Sequence, residues 1–554
     1  MATTRPEPTV LQTDPTSSLP PSVANGVSTL ATSTSFPQVI PAGEPRKGRN
    51  LILCFDGTGD QFDKDNSNIV RFFQLLKKDD RSRQMVYYQA GIGTGVGGDS
   101  SSTLSKMVDG AIATGLQTHV RGGYEFLMQN YTDGDRISMF GFSRGAYTAR
   151  ALAGMLHKVG LLPAYNHEQV KFAYKMFKRD DEEGWKMSNG FKRAFSIDVK
   201  IDFLGVFDTV NSVGIIPREL PFAKSNYVVR VFRHAVALDE RRAKFKANLW
   251  GRATEEEEKL GEGGKKGKYH REQRQGSMGG MLSFVTRPGN SNDADRGRSK
   301  NPINGKDSER YEHRNGHDFA SPEDRQHQTD VKEVWFAGAH CDVGGGSVPN
   351  ETPNNLARIP LRWMIRECFL NNTGILFHSA ELDELGISPA SLWPTVKIPT
   401  PPQRTSTKPS NIDEDSGHGH ELTGATLVDG HAAEATDATA VNVPLPPPDD
   451  IVPHGTVTLG CTEDQKDAVC PVYDQLSLVW WWWILELLPM RQRYQRHDGS
   501  WLSWFSINFG GPRVIHGQRR FPTYVHRSVL YRMQQTGYKP RAELLQEPGP
   551  VWVD

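Results

Sequence analysis

The pentapeptide Gly141-Phe142-Ser143-Arg144-Gly145 has the residue types and spacing that point most directly to chemistry. A serine hydroxyl is a weak nucleophile at neutral pH unless a base takes its proton and preorganised donors hold the oxyanion that forms on the attacked carbonyl. The G-x-S-x-G pattern suits such a nucleophile, because glycines on both sides let a strand turn sharply into a helix with the serine strained and exposed. The setting agrees: an apolar run, Arg136–Phe140 (RISMF), precedes the match, and AYTARALAGMLHKVG follows it, with small residues that let a helix lie close on a sheet.

The serine needs an acid and a base. Asp208 closes the apolar run Ile201–Phe207, and His340 follows the run Val331–Ala337 in Ala339-His340-Cys341-Asp342-Val343-Gly344-Gly345-Gly346. The order Ser143, Asp208, His340 is the one α/β-hydrolases use. Three residues compete: Asp342 as the acid, His526 in Val525-His526-Arg527-Ser528 as the base, and His234, which falls in a stripe of helical period and reads as structural. For the oxyanion, the Arg144 N–H is the first expected donor. The turn Asp56-Gly57-Thr58-Gly59-Asp60 offers Gly57 or Thr58 as the second, while Asp56 also suits capping the next helix.

Two further motifs allow other chemistry. DGTGD read alone fits a metal or aspartyl-phosphate site, but the histidines and carboxylates form no HExxH or closely spaced ligand cluster, so no metal or cofactor is expected. Gly91–Gly98 resembles a phosphate cradle, yet no Gly-Lys-Ser/Thr follows, and a flexible loop near the pocket is the better reading.

The elements that must position these residues alternate. Arg49–Phe55 (RNLILCF) reads as a buried strand, and Ile69, Phe72, Phe73 and Leu76 then fall at helical spacing behind the cap material Asn66-Ser67-Asn68. Met85–Gln89 is a strand, Ile112, Leu116, Val120 and Leu127 mark a helix, and strands Arg136–Phe140 and Ile201–Phe207 follow. Val228, Val231, Phe232, Ala235 and Leu238 form a helical stripe, then come strand Val331–Ala337 and a helix through Leu361, Met364, Ile365, Cys368 and Phe369. Five strands with polar or glycine-rich C-terminal ends imply an α/β fold: an α/β-hydrolase-like, doubly wound, mainly parallel sheet with helices on both faces.

Composition bounds the rest. Only 37% of the 554 residues are hydrophobic, and three stretches bury too little apolar surface to fold: 1–48, about 252–329 and about 397–456. The expected organisation is a disordered leader (1–48), a catalytic domain (49–395) with a disordered insertion, a Pro-rich acidic linker (396–456) and a C-terminal segment (457–554) packing on the catalytic domain. Lys+Arg and Asp+Glu both number 65, which removes the electrostatic case for a nucleic-acid partner. Five scattered cysteines and an N-terminus without a signal-peptide pattern favour a cytoplasmic setting. Leu478–Leu488 (LVWWWWILELL) is too short to span a bilayer. Its tryptophans Trp480–Trp483 either pack inward or give peripheral membrane contact.

CFDGTGD (54–60), YYQAGIGTG (87–95), GFSRGAYTARALAG (141–154), GVFDTV (205–210), RHAVALDERR (233–242) and WFAGAHCDVGGG (335–346) together resemble the α/β-hydrolase family that includes the phospholipase effectors of bacterial type VI secretion. LELLP (485–489) and VHRSV (525–529) are similar too. The resemblance implies a Ser-Asp-His triad at Ser143, Asp208 and His340 and hydrolysis of acyl esters in glycerophospholipids. The expected function is thus a serine hydrolase of lipid or phospholipid esters working through an acyl-enzyme. An inactive scaffold that binds partners through the insertions, or an acyltransferase, are the alternatives.

Overall fold

The computed structural model describes residues 36–43, 47–58, 60–91, 109–179, 182–210, 220, 228–251, 329–397, 461–495, 501–515, 522–544 and 549–554. The loop 92–98, nearly all of the 252–329 insertion, the linker from 398 and most of the leader lie outside the described residues. The elements named below belong to the unit Gln38–Asp554.

Every residue of Asn50–Phe55 (NLILCF) is buried, as expected of a strand covered on both faces. Because side chains alternate along a strand, Leu51, Leu53 and Phe55 enter one core while Ile52 and Cys54 enter the other. This strand is β1 of an eight-stranded sheet. The others are β2 (Gln84–Gln89), β3 (Arg136–Phe142), β4 (Ile201–Phe207), β5 (Val229–Ala237), β6 (Asp330–Phe336), β7 (Tyr524–His526) and β8 (Val551–Val553). Their order is β8-β7-β6-β5-β4-β3-β1-β2, and every pairing is parallel.

Helices cover both faces. On one lie α2 (Asp109–Asn130), α3 (Ser143–Val159), α4 (His167–Lys178) and α5 (Glu182–Phe195), which share a core with Leu53, Met139 and Leu204. On the other lie α1 (Asn68–Leu75) and α7 (Arg358–Leu370), packed on Phe140, Phe203 and Val231; the short α6 (His340–Gly344) follows β6 and precedes α7 in the chain. Ser67 caps α1, its hydroxyl accepting from the Ile69 and Val70 N–H groups.

Three expectations change. The stripe Val228–Leu238 is not a helix but β5, an interior strand buried on both faces from Val231 onward. Its β-branched valines and continuous apolar run suit that position, and the i, i+3, i+4 spacing of some of its members is incidental. Part of the leader is ordered: Val39–Ile40 pairs antiparallel with Phe377–His378, and Ile40 is in the core. The C-terminal segment does more than pack on the domain, because β7 and β8 extend the central sheet beyond β6. The strand is thus flanked where the catalytic-domain boundary at 395 would leave an open edge.

Candidate active site

Parallel strands bring their C-terminal ends to one edge, where ligands bind in folds of this kind. Ser143 follows β3 directly, Asp208 follows β4, and His340 lies four residues past the end of β6. Ser143 stands at φ 58°, a left-handed conformation that a serine adopts only when its surroundings hold it. The flanking glycines allow the turn. A Cβ at Gly141 would meet the Ala146 backbone at 2.6 Å, and one at Gly145 would meet the Phe55 and Asp56 carbonyl oxygens at 2.3 Å. Asp208 is also left-handed, at φ 35°, with its N–H donating to the Ala235 carbonyl at 2.7 Å.

The three side chains meet. Ser143 Oγ lies 2.8 Å from His340 Nε2, and His340 Nδ1 lies 2.6 Å from Asp208 Oδ2. All three are buried. Burial alone would raise the Asp208 carboxyl, but the Arg513 charge beside it and its bond to His340 hold it well below the usual carboxylate range. Asp208 is therefore an ionised acceptor, which makes His340 Nδ1 the donor and leaves Nε2 to accept the serine proton. Burial outweighs the Asp208 charge at His340 and lowers it below an ordinary histidine, so the imidazole is neutral at pH 7. The ring sits between Phe142, 4.6 Å away, and Phe245, edge-on at 4.8 Å.

The competitors are occupied elsewhere. Asp342 accepts from the Ala339 and Tyr473 N–H groups, both at 2.9 Å, and burial raises it to about 7. His526 caps α8 (Arg527–Thr536) through the Ser528 N–H and stacks on Phe336. His234 lies in β5 with Nε2 accepting from the Thr209 N–H and Nδ1 against Glu333. None of these three touches Ser143 or His340 among the described residues.

The expected oxyanion donors sit beside the elbow, since a Cβ on Gly57 would meet the Phe142 ring at 2.8 Å. The Gly57 N–H itself donates to its neighbour Asp56 Oδ1 at 2.8 Å. Asp56 is tied further to Ser67 Oγ (2.6 Å) and Tyr88 Oη (2.8 Å), which fixes the turn.

Sequence reasoning missed the layer behind these three side chains. Glu240 accepts from the His340 N–H at 3.2 Å and pairs with Arg242 at 2.8 Å, and Arg242 lies over the Phe245 ring. Arg513 pairs with Asp208 at 2.6 Å. Glu240 and Arg242 belong to RHAVALDERR, whose density of charge beside a buried strand was the available signal; Arg513 in Gly-Pro-Arg-Val-Ile carried none.

A wholly parallel sheet with a serine on the strained turn after an inner strand, and Asp and His at the same edge, defines an α/β-hydrolase-like fold. Within it the chain belongs to the family of type VI secretion phospholipase effector Tle1-like catalytic domains, whose model matches residues 49–367. It is similar to the protein named Uncharacterized protein YEL023C of Saccharomyces cerevisiae, 30% identical over 583 aligned positions covering 90% of this chain and 81% of that one. Among solved structures it is similar to an uncharacterized protein from Pseudomonas aeruginosa (16% identity, 63% of this chain, 49% of that chain, TM-score 0.29). Another is the Tle1 effector bound to the VgrG spike of the Type 6 secretion system (16% identity, 60% of this chain, 57% of that chain, TM-score 0.26). The chain spans 49% and 57% of those two solved chains. Among the described residues no helix is long and apolar enough to cross a membrane.

Proposed function

We propose that this chain is a serine hydrolase of lipid esters, with phospholipids as the substrate class and Ser143, His340 and Asp208 as nucleophile, base and acid. The observation that carries the reading is the unbroken chain Ser143 Oγ, His340 Nε2, Nδ1, Asp208 Oδ2, at 2.8 and 2.6 Å. Membership of a phospholipase effector family supplies the substrate class.

The chemistry runs in two halves. His340 Nε2 takes the Ser143 proton as Oγ bonds to the ester carbonyl carbon, and the carbonyl π electrons move to oxygen, whose charge is assigned to the N–H of Arg144, the residue after the nucleophile, and to that of Thr58 in the turn after β1. Collapse of this intermediate breaks the bond to the alkoxy oxygen, and the proton on Nε2 passes to the leaving alcohol. Water, deprotonated by the same nitrogen, then attacks the acyl-serine and releases the free acid with Ser143 restored. Asp208 keeps its charge throughout and stabilises the imidazolium.

The substrate reaches this site from a lipid surface. Leu478, Trp480, Trp483, Ile484, Leu487 and Leu488 are exposed, Trp480 by 76%. Of the four tryptophans that either pack inward or meet a membrane, only Trp482 is buried, and it packs edge-on to Phe245, the residue against His340. Glu486, polar within the apolar run, is buried and accepts from the Ala243 and Gly510 N–H groups, pinning the segment beside the site. Exposed tryptophan and leucine side chains are suited to the headgroup boundary.

Phosphatidylcholine vesicles offered with and without a competing alcohol test the reading. Ser143-dependent release of free fatty acid supports hydrolysis, acyl transfer to the alcohol in its place redirects the reading to an acyltransferase, and no turnover by folded protein ends it. Replacing Trp480 and Leu487 with serine is expected to lower vesicle hydrolysis about tenfold relative to hydrolysis of a soluble short-chain ester; an equal fall in both contradicts the interfacial role.

A further inference from the structure

Asp208 is wholly buried, and a lone buried carboxylate costs several kcal/mol unless a cation and hydrogen bonds compensate it. A neutral imidazole supplies a hydrogen bond but no charge. The compensation comes from outside the family's matched region, 305 positions further along the chain. Arg513 Nη1 donates to Asp208 Oδ1 at 2.6 Å and Nη2 donates to Oδ2 at 2.9 Å, a bidentate fork. The same oxygens accept from the Ala237 N–H (2.9 Å) and from His340 Nδ1 (2.6 Å). Four donors occupy the carboxylate's four acceptor sites, so its plane has no freedom left. The guanidinium is itself held by the Ala237 carbonyl at 2.9 Å and by the Phe245 carbonyl.

We propose that Arg513, delivered by the C-terminal segment, is a positioning residue of the active site: its fork aims Asp208 at His340 and partly neutralises the carboxylate. This rests on the hydrolase reading above. A carboxylate shared with a guanidinium holds an imidazolium less firmly than one that faces the imidazole alone. The other titratable groups around the pair are Glu240 at the His340 N–H, Arg242 beside Glu240, His234 at Thr209, Lys246 near Arg513, and Cys341 next to His340. Arg242 and Lys246 carry positive charge, and Glu240 opposes them; none of these is hydrogen-bonded to the Asp208 carboxylate among the described residues.

The experiment is the pH profile of kcat/KM on a soluble ester for the full chain, its Arg513→Gln variant and its Arg513→Lys variant, with thermal unfolding at each pH. In Arg513→Gln the acid limb moves up by about one pH unit, kcat falls about tenfold from lost orientation, and KM changes less than twofold. In Arg513→Lys the charge remains and the fork is lost, so the limb stays within ~0.3 units while kcat falls several-fold. A limb that stays put in Arg513→Gln while kcat falls with the melting temperature assigns Arg513 a purely structural role and overturns the proposal. If Arg513→Gln does not fold, Arg513→Lys decides alone: wild-type kcat, or a limb moved upward, overturns it. Failure of the underlying reading looks different, since the wild-type chain would then show no Ser143-dependent turnover at any pH.

Discussion

In the proposed mechanism Ser143 and His340 pass a proton in a direction set by the charge on Asp208. Because that carboxylate is ionised, His340 presents Nε2 as an acceptor to Ser143. Asp208→Asn keeps the shape but donates an N–H to Nδ1 and traps the wrong tautomer, so kcat/KM of the folded variant is expected to fall by about 10³–10⁴, with a lowered melting temperature because the buried Arg513 loses its charged partner; a fall in kcat/KM under tenfold contradicts the assignment. Burial lowers His340 below 6.5, and the base form persists to more acid pH than for a free histidine. Activity is thus expected to be lost only as pH falls through a value below 6.5, which a kcat/KM profile reads directly. These three residues were legible in the sequence because each closes an apolar run and chemistry limits the residue types. Arg513 was not, because a fork onto Asp208 has no local pattern and its partner is 305 positions away.

The elbow between β3 and α3 works only with almost no side chain around it. Gly145→Ala would drive a Cβ to 2.3 Å from the Phe55 and Asp56 carbonyl oxygens at the end of β1, and backbone cannot yield as a flexible side chain does. It is expected to cost at least about 2 kcal/mol in denaturant unfolding, and an unchanged midpoint contradicts the packing described. At this scale the sequence carried β1, β2, β3, β4 and β6 and helices α1, α2, α3 and α7. It misled at β5, where VVRVFRHAVA satisfies both a helical and a doubly buried strand pattern and the neighbouring strands decide. Strands of three residues, β7 and β8, are too short to show any period.

Across the molecule, the family match ends at residue 367, yet the sheet and the site use residues up to 553. A fragment of residues 36–397 would lack β7, β8 and Arg513 and expose the β6 edge. It is expected to be insoluble or unlabelled by serine probes, whereas soluble, labelled fragment would contradict the role of the C-terminal segment. Acid is expected to unfold the chain for a separate reason. His157 and His526 are fully buried, and burial lowers each to about 3. Unfolding restores ordinary values near 6.5, so the unfolded state binds more protons below that pH and stability is lost as pH falls from 6.5 toward 3. Each histidine removes about 2 kcal/mol by pH 5, visible as a falling melting temperature from pH 7 to 5. The most direct measurement of the central claim is labelling of wild-type and Ser143→Ala protein with a fluorophosphonate, followed by mass spectrometry of the modified peptide. Label on Ser143, absent from Ser143→Ala, is the predicted result; folded wild-type protein without label at Ser143 would contradict it.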